Sequence, residues 1–383
     1  MKPETFEALL LLPRLRVQNA NAVSSAMTWG FPAPSAFTGF VHALELRLNK
    51  LGKRLQFGGV GIICHQFDPQ VFQPPGRRTQ VFRLTRNPVN QEGNTSAIVE
   101  EGRTHLEISL LLTVSGDDCP LAEGDYEALA AQILDCAQGM RLAGGSVLPH
   151  PARSKHPAEW VGWPLLLDDR RTKWRKLRRR LMPGFVLVSR EHLLAQHLDT
   201  LQQAQRGAQR DGLQPPAKPL NAMDALLDLC RLNMAPEPVQ EASAPAAQAA
   251  PQTAAPASAP APASASASAS ASAPVATVAA PVKWAVQRRY PGWLVPLSVG
   301  YAAVSPLFDP GTVKNARDDA QPFRFVESVL SLGEWVSPHR IAEVTDVLWH
   351  HDAQPDAGLY RIHNPYSSII DLTPSASAST SAL

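Results

Sequence analysis

A chain of 383 residues with 36 Lys plus Arg against 34 Asp plus Glu carries a net charge of only +2, so no uniform field selects a partner and the location of the charge matters more than its sum. The four cysteines, Cys64, Cys119, Cys136 and Cys230, form no CxxC pair and no spaced Cys/His quartet, which argues against a disulfide framework and a structural zinc site and fits a reducing cytoplasm. The apolar run from Ala8 to Leu12 stops at Pro13 and Arg14; it is too short for a secretory segment or a span, so a cytoplasmic protein with no membrane partner is expected.

Residues 8–17 are read as a strand. Over 35–50, Phe37, Phe40, Val41, Leu44 and Leu48 recur at helical spacing, Ser35 offers an N-cap and Gly52 ends the run. Apolar and β-branched residues predict strands over 60–67 and 105–114. Between them, residues 68–104 form an arm rich in Arg, Asn, Gly and Pro, and a loop of that length inside a compact domain is usually functional. A helix over 121–138 and a short strand or turn over 140–148, containing Gly144-Gly145, follow. The order strand, helix, strand, strand, helix, strand is that of a ferredoxin-like or RRM-like unit, so the class is α+β with a core over 1–150. Residues 151–237 are expected to be a basic helical region, helical over 160–235 with a Pro-rich break at 214–219. Residues 238–282 are almost wholly Ala, Pro and Ser, with Glu241 as their one charge. They cannot bury enough apolar surface to offset their ordering entropy and should be a disordered linker, spanning on the order of 40 Å. Residues 283–366, dense in aromatics and Pro, are expected to pack on the core, with Trp293, Tyr301, Phe323, Phe325 and Trp335 mainly inside; the tail 367–383 should be loose.

Candidate binding residues fall in four groups. The run 170–180 holds eight basic residues in eleven and no acidic one. On a helix Trp174, Leu177 and Leu181 share one face while Arg171, Arg175, Arg178 and Arg179 are free for the phosphates of a nucleic acid. In the arm, Arg77, Arg78, Arg83, Arg86 and Arg103 are interleaved with Thr79, Phe82, Asn87 and Asn94. Single-stranded RNA asks for that mixture: guanidinium on phosphate, amide on base edge, ring on base face. Asn19, Asn21, Ser24, Ser25 and Trp29 precede the first helix, where backbone N–H groups and the helix dipole favour an anion. Arg141 beside Gly144 and Gly145 would let the backbone approach a nucleotide closely. Each group has a plainer reading, as a solvated helix face, a surface loop, a capping loop or a turn.

Catalytic readings are weaker. His42 lies on the first helix as a core or interface residue, His105, His150 and His156 are scattered, and His350-His351 is adjacent rather than spaced i, i+4 as a helical metal pair requires. No Walker A loop, GxGxxG, GxSxG or HExxH occurs, so no catalytic residue, metal or cofactor is assigned.

Several long stretches resemble one family. They are LLLPRLRVQNANAVSSAMTWGFPAPSAFTGFVHALE (10–45), GVGIICHQF, RTQVFRLTRNPVN (78–90), IVEEGRTHLEISLLL (98–112), MRLAGGSVLP (140–149), RRLMPGFVLVSRE (179–191), ALLDLCRLN (225–233), GWLVPLSVGYAAVSPL and FRFVESVLSLGEWVSPHR. They are similar to the RAMP-type subunit that holds the crRNA 5′ handle in type I-F CRISPR (Csy) surveillance complexes, over residues 10–360 apart from the linker. The resemblance implies an RRM-like RAMP core whose arm acts as a thumb on the RNA. It also implies pairing with the large subunit, contact with the first of the repeated backbone subunits, and no catalysis. By it, Asn19, Asn21, Ser24, Ser25 and Trp29 would line the handle site, with Arg141, Gly144 and Gly145 approaching from a neighbouring strand end. The basic run would serve RNA, target DNA or the large subunit. Relatives in the wider superfamily cut guide RNA, so a metal-independent endoribonuclease acting on CRISPR repeat RNA is the enzymatic alternative.

Overall fold

The computed structural model describes residues 6–77, 79–83, 89, 92–94, 101–119, 126–149, 157–164, 166–210, 218–231, 233–238, 282–287 and 290–366. Arg78, Arg86, the linker between its end residues Pro238 and Val282, and the tail from residue 367 lie outside them.

In chain order the first part contains β1 (Ala8–Asn21), a small hairpin β2 (Val23–Ser25) and β3 (Thr28–Trp29), α1 (Pro34–Lys50) and β4 (Gln56–Pro69). The arm hairpin β5 (Val71–Phe72) and β6 (Val81–Phe82), then β7 (Arg103–Ser115), α2 (Tyr126–Gln138), β8 (Arg141–Leu142) and β9 (Gly145–Val147) follow. Next come β10 (Glu159–Gly162), α3 (Leu167–Arg180), β11 (Phe185–Ser189), α4 (Glu191–Arg210) and α5 (Ala222–Cys230). Strands β12 (Asn233–Pro238) and β13 (Val282–Gln287) pair with each other alone and belong to a separate small unit, residues 231–291. The chain then returns to the large unit with β14 (Trp293–Ala303), β15 (Val326–Val336), β16 (Leu348–Gln354) and β17 (Leu359–His363).

One antiparallel sheet organises the large unit. On one side of β4 its order is β4-β7-β1-β9-β8, with β10 also on β1; on the other side β16, β17, β14, β15 and β11 follow in turn. β11 then pairs back onto β4, Phe185 opposite Cys64 and Val186 opposite Ile63. β4, β16, β17, β14, β15 and β11 therefore close on themselves.

β1 explains why the sheet is covered on both faces. Ala8 to Leu12 are all buried, and because successive side chains point to opposite faces, Ala8, Leu10 and Leu12 join one core with Phe37, Leu44 and Ile133 of α1 and α2. Leu9 and Leu11 join a second core with Trp174, Leu177 and Leu181 in and after α3, so the expected anchoring face of the basic helix is the buried one. Each such apolar side chain contributes roughly 1.5–3 kcal/mol on burial.

Three expectations need correction. Ser35 is not the N-cap of α1: Ala33 holds that position, Pro34 starts the helix, and no side chain caps it. Pro fits there because the first-turn N–H it lacks would have no intrahelical partner anyway. Residues 160–235 are not all helical, since β10 and β11 lie among them. β11 is a five-residue apolar stretch, too short for periodicity to separate strand from helix, and its pairing with β4 and β15 decides. His42 is exposed on α1 and is not a core residue. Gly52 does end α1, at φ +77°.

Candidate nucleic-acid interface

Two departures from regular strand geometry aim β1 toward a cleft. The register on β7 shifts between Leu12 and Leu15 and again between Val17 and Ala20, and Arg14 and Asn19 there adopt φ of 51° and 58°. Such bulges redirect the strand beyond them. Beyond the second one, Asn21, Val23 and Ser24 turn into a cleft of about 760 Å³ that is also lined by Arg103, Gly144 and the first turn of α1 at Ala33, Ser35 and Ala36. Across from them stand Tyr301 and Tyr360, which face each other in the β14–β17 pairing. Gly300 shifts the β14 register and holds φ +150°, and so sets where Tyr301 points.

The wall of the cleft is braced from within. Asn21 Nδ2 donates to the Val23 carbonyl at 2.8 Å and its Oδ1 accepts from the Val23 N–H at 3.0 Å, so its amide shapes the loop. Ser24 and Ser25 both share hydrogens with Thr28 Oγ1, at 2.8 and 2.7 Å, which pins the β2–β3 hairpin. Arg103 donates from Nε and Nη2 to Glu101 Oε2 at 3.0 and 2.6 Å. A phosphate would therefore compete with Glu101 for that guanidinium, while the uncapped α1 N-terminus adds backbone donors and the positive end of its dipole.

The residues singled out from the sequence separate here. Asn21, Ser24, Arg103 and Gly144 meet in the cleft. Asn19 lies outside it, its N–H directed at His105 Nδ1 and its Oδ1 accepting from Gln70. Gly144, at φ +76°, has open space where a Cβ would be, whereas a Cβ on Gly145 would lie 2.7 Å from the Gln18 carbonyl. Gly145 is thus required for β9 to lie against β1. Arg141 is exposed outside the cleft lining. Arg77 and Arg83 are exposed at the arm, the latter anchored by its backbone N–H to the Gln70 carbonyl. Trp29 faces a neighbouring pocket and meets Phe82 of the arm edge-on at 5.2 Å.

On α3 much of the charge is spent within the protein. Arg178 donates to the carbonyls of His339 and Ile341, Lys173 to Gly162, and Arg170 to Pro164; Arg180 pairs with Glu159, and Arg171 lies 3.6 Å from Glu343. Among the described residues Arg175, Lys176 and Arg179 are left exposed without such partners. The acidic partners come from distant sequence, which is why a local reading of 170–180 missed them.

The C-terminal aromatics correct another expectation. Trp335 is buried, but Trp293, Tyr301 and Phe325 are exposed, and Tyr301, Tyr360 and Trp293 line cavities. Density of aromatics in a sequence does not distinguish a core from a ring-lined surface.

The described thiols are chemically quiet: burial pushes Cys64 and Cys119 up to about 12 and Cys230 to about 11. Among the described residues no group of His, Cys, Asp and Glu is placed to hold a metal, and no helix is long and apolar enough to cross a membrane.

An α+β chain with a polar, aromatic-walled cleft matches, over residues 10–362, the family model described as CRISPR-associated protein (Cas_Csy2). It is also 48% identical over 365 residues, 94% of this chain and 96% of the relative, to the CRISPR-associated protein Csy2 of Pseudomonas aeruginosa strain UCBPP-PA14. The chain belongs to the Csy2 family, which places it in the type I-F (Csy) class of CRISPR defence proteins.

Proposed function

We propose that this protein is a non-catalytic subunit of a type I-F Csy surveillance complex that holds the 5′ handle of crRNA in the cleft and pairs with the large subunit. The observation that carries this reading is the meeting of Asn21, Ser24, Arg103 and Gly144 with the uncapped first turn of α1 and the Tyr301–Tyr360 pair. Guanidinium and helix N-terminus suit phosphates, and the two phenol rings suit bases. The order β4-β7-β1-β9 with α1 and α2 interposed is that of a ferredoxin-like sheet and supports an RRM-like RAMP core. Arg77, Arg83 and the arm around them would grip the strand from outside, as would Arg78 and Arg86. The first repeated backbone subunit would dock nearby, and Arg175 and Arg179 are offered to target DNA or to the large subunit.

Binding of the full chain, with its large-subunit partner, to labelled 5′-handle RNA and a scrambled control across a salt series tests this. The handle should bind more tightly, with a log-log salt slope near ~−3.5 for ~5 neutralised phosphates, and should be recovered intact. Arg77→Ala/Arg78→Ala should flatten the slope, and Tyr301→Ala should weaken binding by roughly tenfold, the worth of one stacked base. Equal binding of handle and scramble would favour a protein-only adaptor, and cut RNA the nuclease alternative.

A further inference from the structure

Among the described residues that line the cleft, Arg103 is the cation and Glu101 the carboxylate; the other lining side chains are neutral. The two formal charges cancel, and the N-terminus of α1 adds only the partial charges of backbone N–H groups. Attraction of RNA regardless of its sequence rests on net positive charge. A carboxylate held against the guanidinium of an RNA cleft removes most of that attraction.

The backbone keeps the pair in place. Asn21 lies opposite Arg103 in the β1–β7 register, the Ala22 N–H donates to the Gly102 carbonyl at 2.9 Å, and the Gln70 N–H donates to the Arg103 carbonyl at 2.8 Å. Gly102 between the two charged residues is buried, and a Cβ on it would lie 2.8 Å from Val23 and 3.2 Å from the Phe82 ring. The segment is therefore wedged between the strand β2 and the arm hairpin. With side chains 30% and 31% exposed, Glu101 and Arg103 are better shielded from water than a typical surface pair, and their attraction is screened less.

The contact also divides the guanidinium. Nε and Nη2 both donate to Glu101 Oε2, at 3.0 and 2.6 Å, so that edge is taken. Nη1 and the second hydrogen of Nη2 form the other two-donor edge. A phosphate drawn in by charge alone meets Glu101 as a competitor. One seated squarely on the remaining edge accepts two parallel hydrogen bonds and leaves the pair intact.

We infer that Glu101 is a specificity-determining residue of the cleft: it cancels the indiscriminate pull of Arg103 and fixes its guanidinium, so that only a strand seated by its bases brings a phosphate onto the remaining edge. The inference rests on the RNA-binding reading of the cleft. A partner is told from its competitors by what repels the wrong one as well as by contacts to the right one.

Binding of labelled 5′-handle RNA and of a scrambled RNA to the full chain with its large-subunit partner, across a salt series, tests this. Glu101→Gln keeps the shape and an acceptor for Arg103 but not the charge. It should tighten the scramble by roughly tenfold at low salt, steepen the scramble's log-log slope by ~0.7 for one added phosphate, and leave the handle within about twofold. Glu101→Ala also lets the guanidinium turn, so it should tighten the scramble and weaken the handle. Glu101→Asp retains the charge and should keep the scramble weak, which a mere loss of folding would not do; thermal unfolding of all three variants checks the fold directly. In an Arg103→Ala background Glu101→Gln should change both RNAs alike, the mark of a direct coupling between the two residues. Equal tightening of handle and scramble by Glu101→Gln would make Glu101 a plain brake on affinity and overturn the inference. A weaker handle with an unchanged scramble would overturn it too, because the carboxylate would then be reading a base edge. So would the absence of any response to Glu101→Gln while Arg103→Ala weakens the handle. In these three cases the cleft reading stands. If neither RNA binds the wild type or any variant, both readings fall together.

Discussion

Gly300 shows how one residue sets the cleft. Its φ of +150° is one that L side chains rarely adopt, and a Cβ there would fall on the Tyr360 carbonyl, with the Arg361 Cα 2.9 Å away. Both obstacles are backbone, so no rotamer change relieves them. Gly300→Ala should therefore destabilise the protein by roughly 1–3 kcal/mol and also move Tyr301 out of register with Tyr360. Chemical denaturation reads the first effect and handle-RNA affinity the second. Gly52→Ala, outside the cleft, is the control, because its Cβ position is open and only the positive φ opposes it, costing about 1 kcal/mol. A comparable loss of RNA affinity in both variants, at equal stability, would mean that Tyr301 has no special part. The sequence offers Gly300 as an ordinary glycine between Val299 and Tyr301; only the paired strand beside it reveals the constraint.

At the scale of elements, the hairpin β16–β17 carries a pH dependence. His363 lies opposite His350 in the register, 5.7 Å between ring centres. Burial chiefly lowers its pKa below 6.5; Arg361 and His351 act in the same direction, against Asp352 and Glu191. A base whose folded pKa lies below its unfolded one binds more protons when unfolded. Its contribution to stability is thus complete above about pH 6.5 and is lost as pH falls through 6.5 toward the folded value. Between pH 7.5 and 5.5 the urea midpoint of the wild type should fall by more than that of His363→Gln; equal falls would assign the effect to other groups. Legibility from sequence followed the same line between local and distant causes. The α1 helix, β1, β4 and β7 were readable because their apolar patterns are long. The pairing of Arg180 with Glu159, and β11 between β4 and β15, were not, since each is settled by a partner far along the chain. Half of the cleft was readable in the polar loop before α1 and in Arg103. Its other half, Tyr301 and Tyr360, depends on a sheet register that no local pattern encodes.

Across the whole molecule, the strands after residue 291 complete the N-terminal part of the large unit. β16 covers β4 at Val60 and Gly61, Trp349 Nε1 donates to the Leu187 carbonyl at 2.8 Å, and Asn364 accepts from the Ser189 N–H at 3.0 Å. Five buried side chains from this segment, Leu297, Val299, Trp335, Trp349 and Ile362, sit in the same core as Phe37 and Phe40 of α1. At roughly 1.5–3 kcal/mol each they supply about 8–15 kcal/mol, as much as the entire net stability of a typical domain. Arg190 and Glu334, both nearly fully buried and 2.9 Å apart, add a cross-link whose single removal costs about 3–5 kcal/mol. A fragment ending in residues 239–281 should consequently fail to fold alone, exposing α1 and the open side of β4. Co-expression with the remaining C-terminal fragment should restore a soluble pair, because the ring of strands closes through side-to-side pairing rather than through the connecting chain. Soluble yield of the first fragment with and without the second measures this. A first fragment that is soluble and shows cooperative melting by itself would mean that the C-terminal strands decorate a finished domain instead of completing one, and Glu334→Gln in the second fragment should then leave the pair's stability untouched.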